Sequence, residues 1–548
     1  MLSKNAGAGL AEKAALGGML ILSTVILTAV LGFFVGVPIG IYTLLVPLAI
    51  LLLVAFFRDR TLFWAVLSEI GLAVLWAVLC ALIYDSSFDG MYYHKQAVIT
   101  LKEGWNPVYE SCLTENQFSS YLDIALWLDN YPKGLWSFSA AVYALTNLIE
   151  TAKVVNLFFV ICVFALGYDV TRTVFQSSRK KSFAFALLFS INPVFIQQIF
   201  TFYNDLAVGA VVVMAALLGV KIYEDRATGR TYLLLFLTVA VSCTIKFTAP
   251  VLVGLVLLVF GISYALKCRK RLSNVRRPVV VVLAAFLAGV LVLGFNPYIV
   301  HLIQGKHVIH PVMGAEKYDI MNTNPPEAFA GKSGVEQLFM SLFSKTENDM
   351  NQPLSLKIPF TVTSDELEDA GSADVRIGGF GMLFGGVLCI AVLLALIAAI
   401  YKTKMRGSLA IMLATFVGLA LFFPESWWAR YASYVYYIPV LLLLYATNLK
   451  KIKWLNALLY VAVVANSCIV LWCMLSMRIE ITQGLTHKLD DIKADGRSIV
   501  VRFNDFPSQI AWFQEHGIQF EVSHSDIGEA IPFYGTTKYE FVDGNGGE

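Results

Sequence analysis

The chain has 548 residues, 57% of them hydrophobic and only 15% charged, with a mean hydropathy of +0.68 and a formal net charge of +2. These values exclude an ordinary soluble globular chain, and the near-neutral total matters less than how the charge is distributed. The eight cysteines do not make a disulfide framework: Cys80, Cys162, Cys243, Cys389, Cys468 and Cys473 fall in apolar stretches, Cys268 in a basic loop and Cys112 alone in a polar one.

Apolar stretches of about 17–25 residues, each long enough to cross a bilayer as a helix, recur from end to end. About thirteen crossings are predicted, near 18–36, 41–57, 61–84, 152–173, 181–199, 205–222, 230–247, 249–266, 278–300, 377–401, 408–423, 432–448 and 453–476. Lys4 and Lys13 precede a first stretch of full length, so no cleaved signal peptide is expected. Alternate connections carry Arg58/Arg60, Arg172/Arg179/Lys180/Lys181, Lys221/Arg226/Arg230, the run from Lys267 to Arg277, Lys402/Lys404/Arg406 and Lys450/Lys451/Lys453. The positive-inside rule makes these connections and the N-terminus cytoplasmic. The opposite face then receives loops 85–151 and 301–376, the tail 477–548 and every histidine. No Walker-type glycine loop or dinucleotide fingerprint occurs.

After the third crossing comes Tyr84-Asp85-Ser86-Ser87-Phe88-Asp89-Gly90-Met91-Tyr92-Tyr93-His94. Met91, His94, Val98 and Leu101 share a face at the spacing of an interfacial helix, which Gly104 ends and Asn106-Pro107 keeps ended. If the backbone stays helical past Tyr84, Asp85 and Asp89 share a face and raise one another's pKa, which suits a general base. Equally, Asp89 could serve only as a helix cap. The segment from Tyr131-Pro132 to Glu150 is apolar, but counting it as a crossing would invert every later loop; with Trp127, Tyr131 and Trp136 it reads as an interfacial or re-entrant helix.

Four further groups could carry chemistry. Asn192-Pro193 precedes Tyr203-Asn204-Asp205, where Asp205 is either a cap or a second functional acid. Lys246 lies near the end of an apolar run, as a functional cation or one that snorkels to the headgroups. Glu425-Ser426-Trp427-Trp428-Ala429-Arg430-Tyr431 places an arginine, a fork suited to phosphate, among aromatics that could stack on sugar or isoprenoid; an aromatic belt with one ion pair is the plainer reading. His301, His307 and His310 lack the helical spacing or nearby cysteines of a metal site, and a single phosphate or hydroxyl contact, assigned to His310, fits better. In the tail, Ser498–Phe503 reads as a strand, Ser508–His516 as a helix and Ile518–Val522 as a second strand, with turns at Gly517 and Gly535.

In order, an acid after a span, a helix, Gly104-Trp105-Asn106-Pro107, Tyr131-Pro132, Asn192-Pro193, Asn204-Asp205, a lysine-bearing span pair and Trp427-Trp428-Ala429-Arg430-Tyr431 resemble the GT-C membrane glycosyltransferases over roughly 85–440. The resemblance implies an all-α polytopic membrane protein with outer-face interfacial helices (residues 1–476) and a small extracytoplasmic α/β domain (477–548) in the plasma (inner) membrane. It implies sugar transfer, with inversion, from a polyprenyl-phosphate sugar to a hydroxyl of a glycan, lipid or protein acceptor. Asp89 would be the base with Asp85 as second choice. Lys246, Arg430 and His310 would meet the donor phosphate, and Tyr93, His94, Asp205, Trp427 and Trp428 would line the pocket. No cofactor, metal or nucleic acid is called for. Gly90 departs from the acidic second position of the family's Asp-Glu pair, and the acid loop follows the third span rather than the first. The rival functions are a transporter or flippase of lipid-linked saccharides, or a glycan polymerase or ligase.

Overall fold

In this computed structural model the described residues are 2–112, 122–315, 317–318, 324–349, 351, 353–447, 449–528 and 530–542. The first helices are α1 (Leu2–Phe34), α2 (Ile41–Arg58), α3 (Arg60–Ala81), α4 (Lys95–Lys102), α5 (Leu122–Asn130) and α6 (Gly134–Thr146). Then follow α7 (Val155–Thr173), α8 (Arg179–Ser190), α9 (Pro193–Gln198), α10 (Asp205–Tyr223), α11 (Gly229–Ser242), α12 (Thr248–Lys267), α13 (Ser273–Ala288) and α14 (Phe295–Ile303). The last are α15 (Gly334–Phe343), α16 (Ser364–Asp369), α17 (Phe384–Ile400), α18 (Gly407–Phe422), α19 (Tyr437–Ala446), α20 (Lys453–Asp495) and α21 (Ile510–Glu515).

Among the described residues, eight stretches are long and apolar enough to cross a membrane, and four shorter apolar helices accompany them. α10 is buried along almost its whole length, whereas α3, α12 and α13 leave large apolar side chains such as Leu75, Leu258 and Leu283 more than half exposed. Such a surface needs an apolar surrounding, as a bilayer supplies. Several elements differ from their sequence-based outlines. α3 ends at Ala81, so no helix joins Asp85 to Asp89. The 181–199 stretch is broken at Asn192-Pro193, where the Asn192 side chain accepts from Val194 N and starts α9. Residues 90–94 form a π-turn leading into α4, which is buried on every side and is therefore no surface helix. α6 is likewise covered by protein over Gly134–Tyr143.

At one end of the bundle the basic connections are gathered by a buried ion network. Lys221 Nζ lies 2.6 Å from Glu12 and 2.5 Å from Asp169, Thr231 Oγ1 donates to Glu12 at 2.5 Å, and Lys13 meets Asp59 at 2.7 Å. Asp59 also caps α3 by accepting from Thr61 N and Leu62 N. α1 at Glu12 and Lys13, the starts of α3 and α11 and the ends of α7 and α10 thus meet at one level.

The 43 residues of α20 span about 65 Å, roughly twice a bilayer's hydrocarbon core. The tail therefore begins at Gly496, in the left-handed conformation, rather than at residue 477. It forms a four-stranded sheet of order β2-β1-β4-β3, made of β1 (Ile499–Arg502), β2 (Phe520–Val522), β3 (Ile531–Pro532) and β4 (Lys538–Phe541). β1 pairs parallel with β2 and antiparallel with β4.

Removing a partner from a buried charge pair costs about 3–5 kcal/mol, against about 0–1 for an exposed one. Lys221→Met, which strands two buried carboxylates, is expected to lower the thermal unfolding midpoint in detergent far more than Lys13→Ala. Equal midpoints for the two variants would show that the network does not hold this end together.

Candidate functional site

At the opposite end, the chain leaving α3 meets the links before α10, after α11 and after α18. Short side chains permit this. A Cβ on Gly209 of α10 would lie 2.2 Å from Ser433 Oγ, and Asn192 Nδ2 donates to Ser433 O at 2.9 Å, which seats the 424–436 link beside Tyr203–Asp205. Gly134 N donates to Thr244 O at 3.0 Å, and a Cβ on Gly134 would lie 2.2 Å from Thr244 Oγ1. The start of α6 is thereby pressed against the link that carries Lys246.

Arg430 is the centre of this meeting, with its side chain 8% exposed. Its Nη2 lies 3.1 Å from Asp89 Oδ2, its Nη1 2.9 Å from Asp374 Oδ1 and its Nε 3.7 Å from Asp205 Oδ2. Asp205 Oδ1 takes Lys246 Nζ at 2.7 Å. The guanidinium also lies 4.4 Å from the ring centre of Trp428, 4.8 Å from Tyr431 and 4.9 Å from Tyr203, while Lys246 lies 4.5 Å from Tyr431. Aromatic faces attract cations and leave their N–H groups free to turn elsewhere. Arg430 Nη2 donates to the Tyr431 hydroxyl, but among the described residues neither Nε nor Nη1 makes an aligned hydrogen bond, nor does Trp428 Nε1. Buried donors of this kind call for a partner.

Asp89 precedes the π-turn, yet its side chain makes no capping bond. It faces Arg430 and is 21% exposed, whereas Asp85 is fully buried. Asp85 is held on all sides: Oδ1 accepts from Ser87 N and Oγ, Oδ2 accepts from Phe202 N at 2.8 Å, and Arg478 Nη1 stands 3.5 Å away. Asp85, the second choice for a base, is thus placed as a buried support of the local backbone, with both carboxylate oxygens engaged. A Cβ on Gly90 would lie 2.2 Å from Asp85 Oδ2, so an acid at position 90 has no room.

Beneath lies Glu150, bonded to Lys95 at 2.7 Å, Lys153 at 2.5 Å, the Asp85 amide and Trp512 Nε1 at 2.8 Å. Trp512 brings in the tail, which also stacks that ring on Tyr84 at 5.1 Å and donates from Ser508 Oγ to Met91 O at 2.6 Å. The acid stretch is thus clamped between Arg478 of α20 and the tail domain.

The remaining candidates divide. Tyr93 and His94 are buried behind Asp89, in a nest with Trp127, Tyr131 and Trp136. Trp136 Nε1 donates to His94 Nδ1 at 2.9 Å, placing the proton of the neutral ring on Nε2. Burial, then the charges of Lys246 and Arg430, hold His94 well below its ordinary pKa, so it stays neutral. Trp428 belongs to the Arg430 cluster, while Trp427 stacks behind it at 5.3 Å and packs into a core with Phe329 and Ile377. His310 is set edge-on against His301, whose Nε2 meets Asn130 Oδ1 at 2.9 Å. Sequence reading missed Asp374, which sits in a polar loop without a pattern to mark it.

Compared with known proteins, the chain matches no family model, no curated protein and no solved structure.

Burial, against the pull of Arg430 and with the push of Asp89, raises the Asp374 carboxyl to about 6. A carboxyl raised on folding favours the folded state at acid pH, and that contribution is lost as pH rises through about 6. Arg430→Met removes the larger of the two cations, Arg430 and Arg376, that oppose the rise. Its deficit in thermal midpoint relative to wild type should therefore be larger at pH 8 than at pH 5. A deficit independent of pH would mean that the three acids do not depend on Arg430.

Proposed function

We propose that the chain is an integral-membrane glycosyltransferase of the GT-C kind, with about thirteen crossings, its N-terminus cytoplasmic and the Arg430 cluster and tail extracytoplasmic. The donor is a polyprenyl-phosphate sugar and the acceptor a hydroxyl of a cell-envelope glycan, lipid or protein. What supports this reading most is one juxtaposition: a partly exposed carboxylate, Asp89, and two cations, Arg430 and Lys246, share a cluster where apolar helices end. A greasy donor lying among the helices would bring its phosphate to that level, and a hydrophilic acceptor would reach it from water.

In the proposed reaction Asp89 takes the proton of the acceptor hydroxyl as its oxygen bonds to the anomeric carbon. The bond from that carbon to the phosphate oxygen breaks, and the lipid phosphate leaves with the electron pair. Displacement by the acceptor on one face and departure on the other inverts the anomeric centre. Lys246 and the unaligned N–H groups of Arg430 stabilise the charge gathering on the phosphate, most strongly where water is excluded.

The test is mass spectrometry of lipid-linked sugars and envelope glycans from cells carrying wild-type protein, the Asp89→Asn variant or neither. A general base contributes about 10²–10⁴ in rate. Asp89→Asn should therefore accumulate a polyprenyl-phosphate monosaccharide, as deletion does, while the purified variant still unfolds cooperatively with a stability loss of about 3 kcal/mol at most, because Asp205 and Asp374 remain on Arg430. Normal glycans in the variant would end the proposal.

A further inference from the structure

One apolar surface outside the site has no counterpart in the reaction just proposed. α15 starts with a capping box in which Ser333 Oγ accepts from Glu336 N and Glu336 returns to Ser333 N. Its inward side gives Leu338 and Ser341 to the protein, and Met340 to the core around Trp427 and Trp428. Its outward side shows Val335 and Phe339, about half exposed. A short antiparallel return follows, in which Lys345 N donates to Ser355 O and Lys357 N to Phe343 O, both near 2.9 Å. That return exposes Leu356, Ile358, Phe360 and Val362, with Ile358 76% exposed.

The element is seated rather than loosely draped. Gly385 and Gly386, in the first turn of α17, leave room for it. A Cβ on Gly385 would lie 2.9 Å from Leu342 O, and one on Gly386 would lie 2.5 Å from the Phe360 ring. Beside it, at the end of α18 nearest Arg430, Leu421 and Phe422 are 44% and 87% exposed, and along α17 Val392, Leu393 and Leu396 are half exposed or more. Those two helices are short. The 17 residues of α17 and 16 of α18 rise about 25 Å, some 5 Å less than a typical hydrocarbon core of about 30 Å. A shortfall of this kind must be met by thinning the bilayer or by other apolar surface at the same height.

We propose that α15 and the 356–362 return are embedded in the leaflet at the Arg430 end, with Val335, Phe339, Leu356, Ile358, Phe360 and Val362 among the acyl chains. The partner is the bilayer itself, and the element completes the apolar height of the α17–α18 corner. Because Met340 and Leu354 of the same element press on the tryptophans behind Arg430, the depth of the ion cluster is fixed against the lipid headgroups. The inference requires the chain to lie in a bilayer and does not require sugar transfer.

The experiment uses the full chain reconstituted in vesicles containing a phospholipid with a photoreactive diazirine near the end of one acyl chain. After irradiation and digestion, adducts are mapped by mass spectrometry. Adducts on the 334–343 and 353–362 peptides should match those at the Arg430 end of α18 and exceed those on the tail strands several-fold. The Phe339→Asp/Ile358→Asp double variant should lose adducts on these peptides while keeping them on α18. Labelling of either peptide no higher than that of the tail overturns the proposal, whether water or a second copy covers the surface. That failure would leave the glycan profile of Asp89→Asn unchanged, so the two readings fail separately.

Discussion

A guanidinium buried at the end of a helical bundle stands only if carboxylates reach it, and three do so here from distant parts of the chain. Asp89 comes from the stretch after α3, Asp205 from the first turn of α10 and Asp374 from the loop before α17. Desolvating Arg430 without them would cost several kcal/mol, so their convergence is a condition of the fold and not an ornament on it. The packing shows what that condition demands. Gly209 lies against Ser433 and Gly134 against Thr244, and neither approach leaves room for a methyl group. The break at Asn192-Pro193 follows from the same need, since Asn192 both starts α9 and holds the backbone at Ser433.

Two carboxylates four residues apart show how environment assigns a role. Asp85 spends its oxygens on backbone amides, Ser87 and Arg478, and through its own amide it rests on Glu150. Among the described residues the Asp89 carboxylate, just beyond, makes no such bonds and meets a cation that other acids share, while its amide donates to the Tyr203 hydroxyl. The first acid therefore fixes the path of the backbone, and that fixed path aims the second. Gly90 serves the same arrangement, because any side chain there would collide with the Asp85 carboxylate. The tail joins it from outside, with Trp512 completing the hydrogen bonds of Glu150.

Much of this was legible in the sequence. Charge alternation marked the end at which Lys221, Glu12 and Asp169 meet, and Asp89, Asp205, Lys246 and Arg430 were each visible as a charge at the edge of an apolar run. What could not be read is physically of one kind, namely the partner that arrives through tertiary structure. Asp374 lies in an ordinary polar loop, and nothing local says that Arg430 waits for it. Glu150 and Lys95 look like surface charges until burial makes them a pair. The length of α20 was hidden differently. After Met477 hydropathy drops, which ends a membrane span by count, yet Arg478, Thr482, Leu485, Leu489 and Ile492 keep the helical spacing on one buried face. The helix persists because the tail and the acid stretch pack on that face.

The charge balance of the cluster bears on how the proposed transfer could work. Asp89, Asp205 and Asp374 face Arg430 and Lys246, with Arg376 acting on Asp374 from across Trp428, so an entering phosphate finds Arg430 and Lys246 already engaged and must displace an acid to bind. Asp205 is the least exposed of the three and is shared by both cations, so it is the hardest to move. Burial raises the Asp374 carboxyl to about 6, so it gives up its charge more readily than an ordinary carboxylate. Asp89 is the most exposed and holds Arg430 by a single contact. It is therefore the carboxylate that phosphate would release. Donor binding would thus free Asp89 from Arg430, so that the proposed base is released only when a leaving group is in place. The same ion pair would keep it quiet in the absence of donor, which is why the contact between Arg430 and Asp89 accords with a catalytic role for that acid.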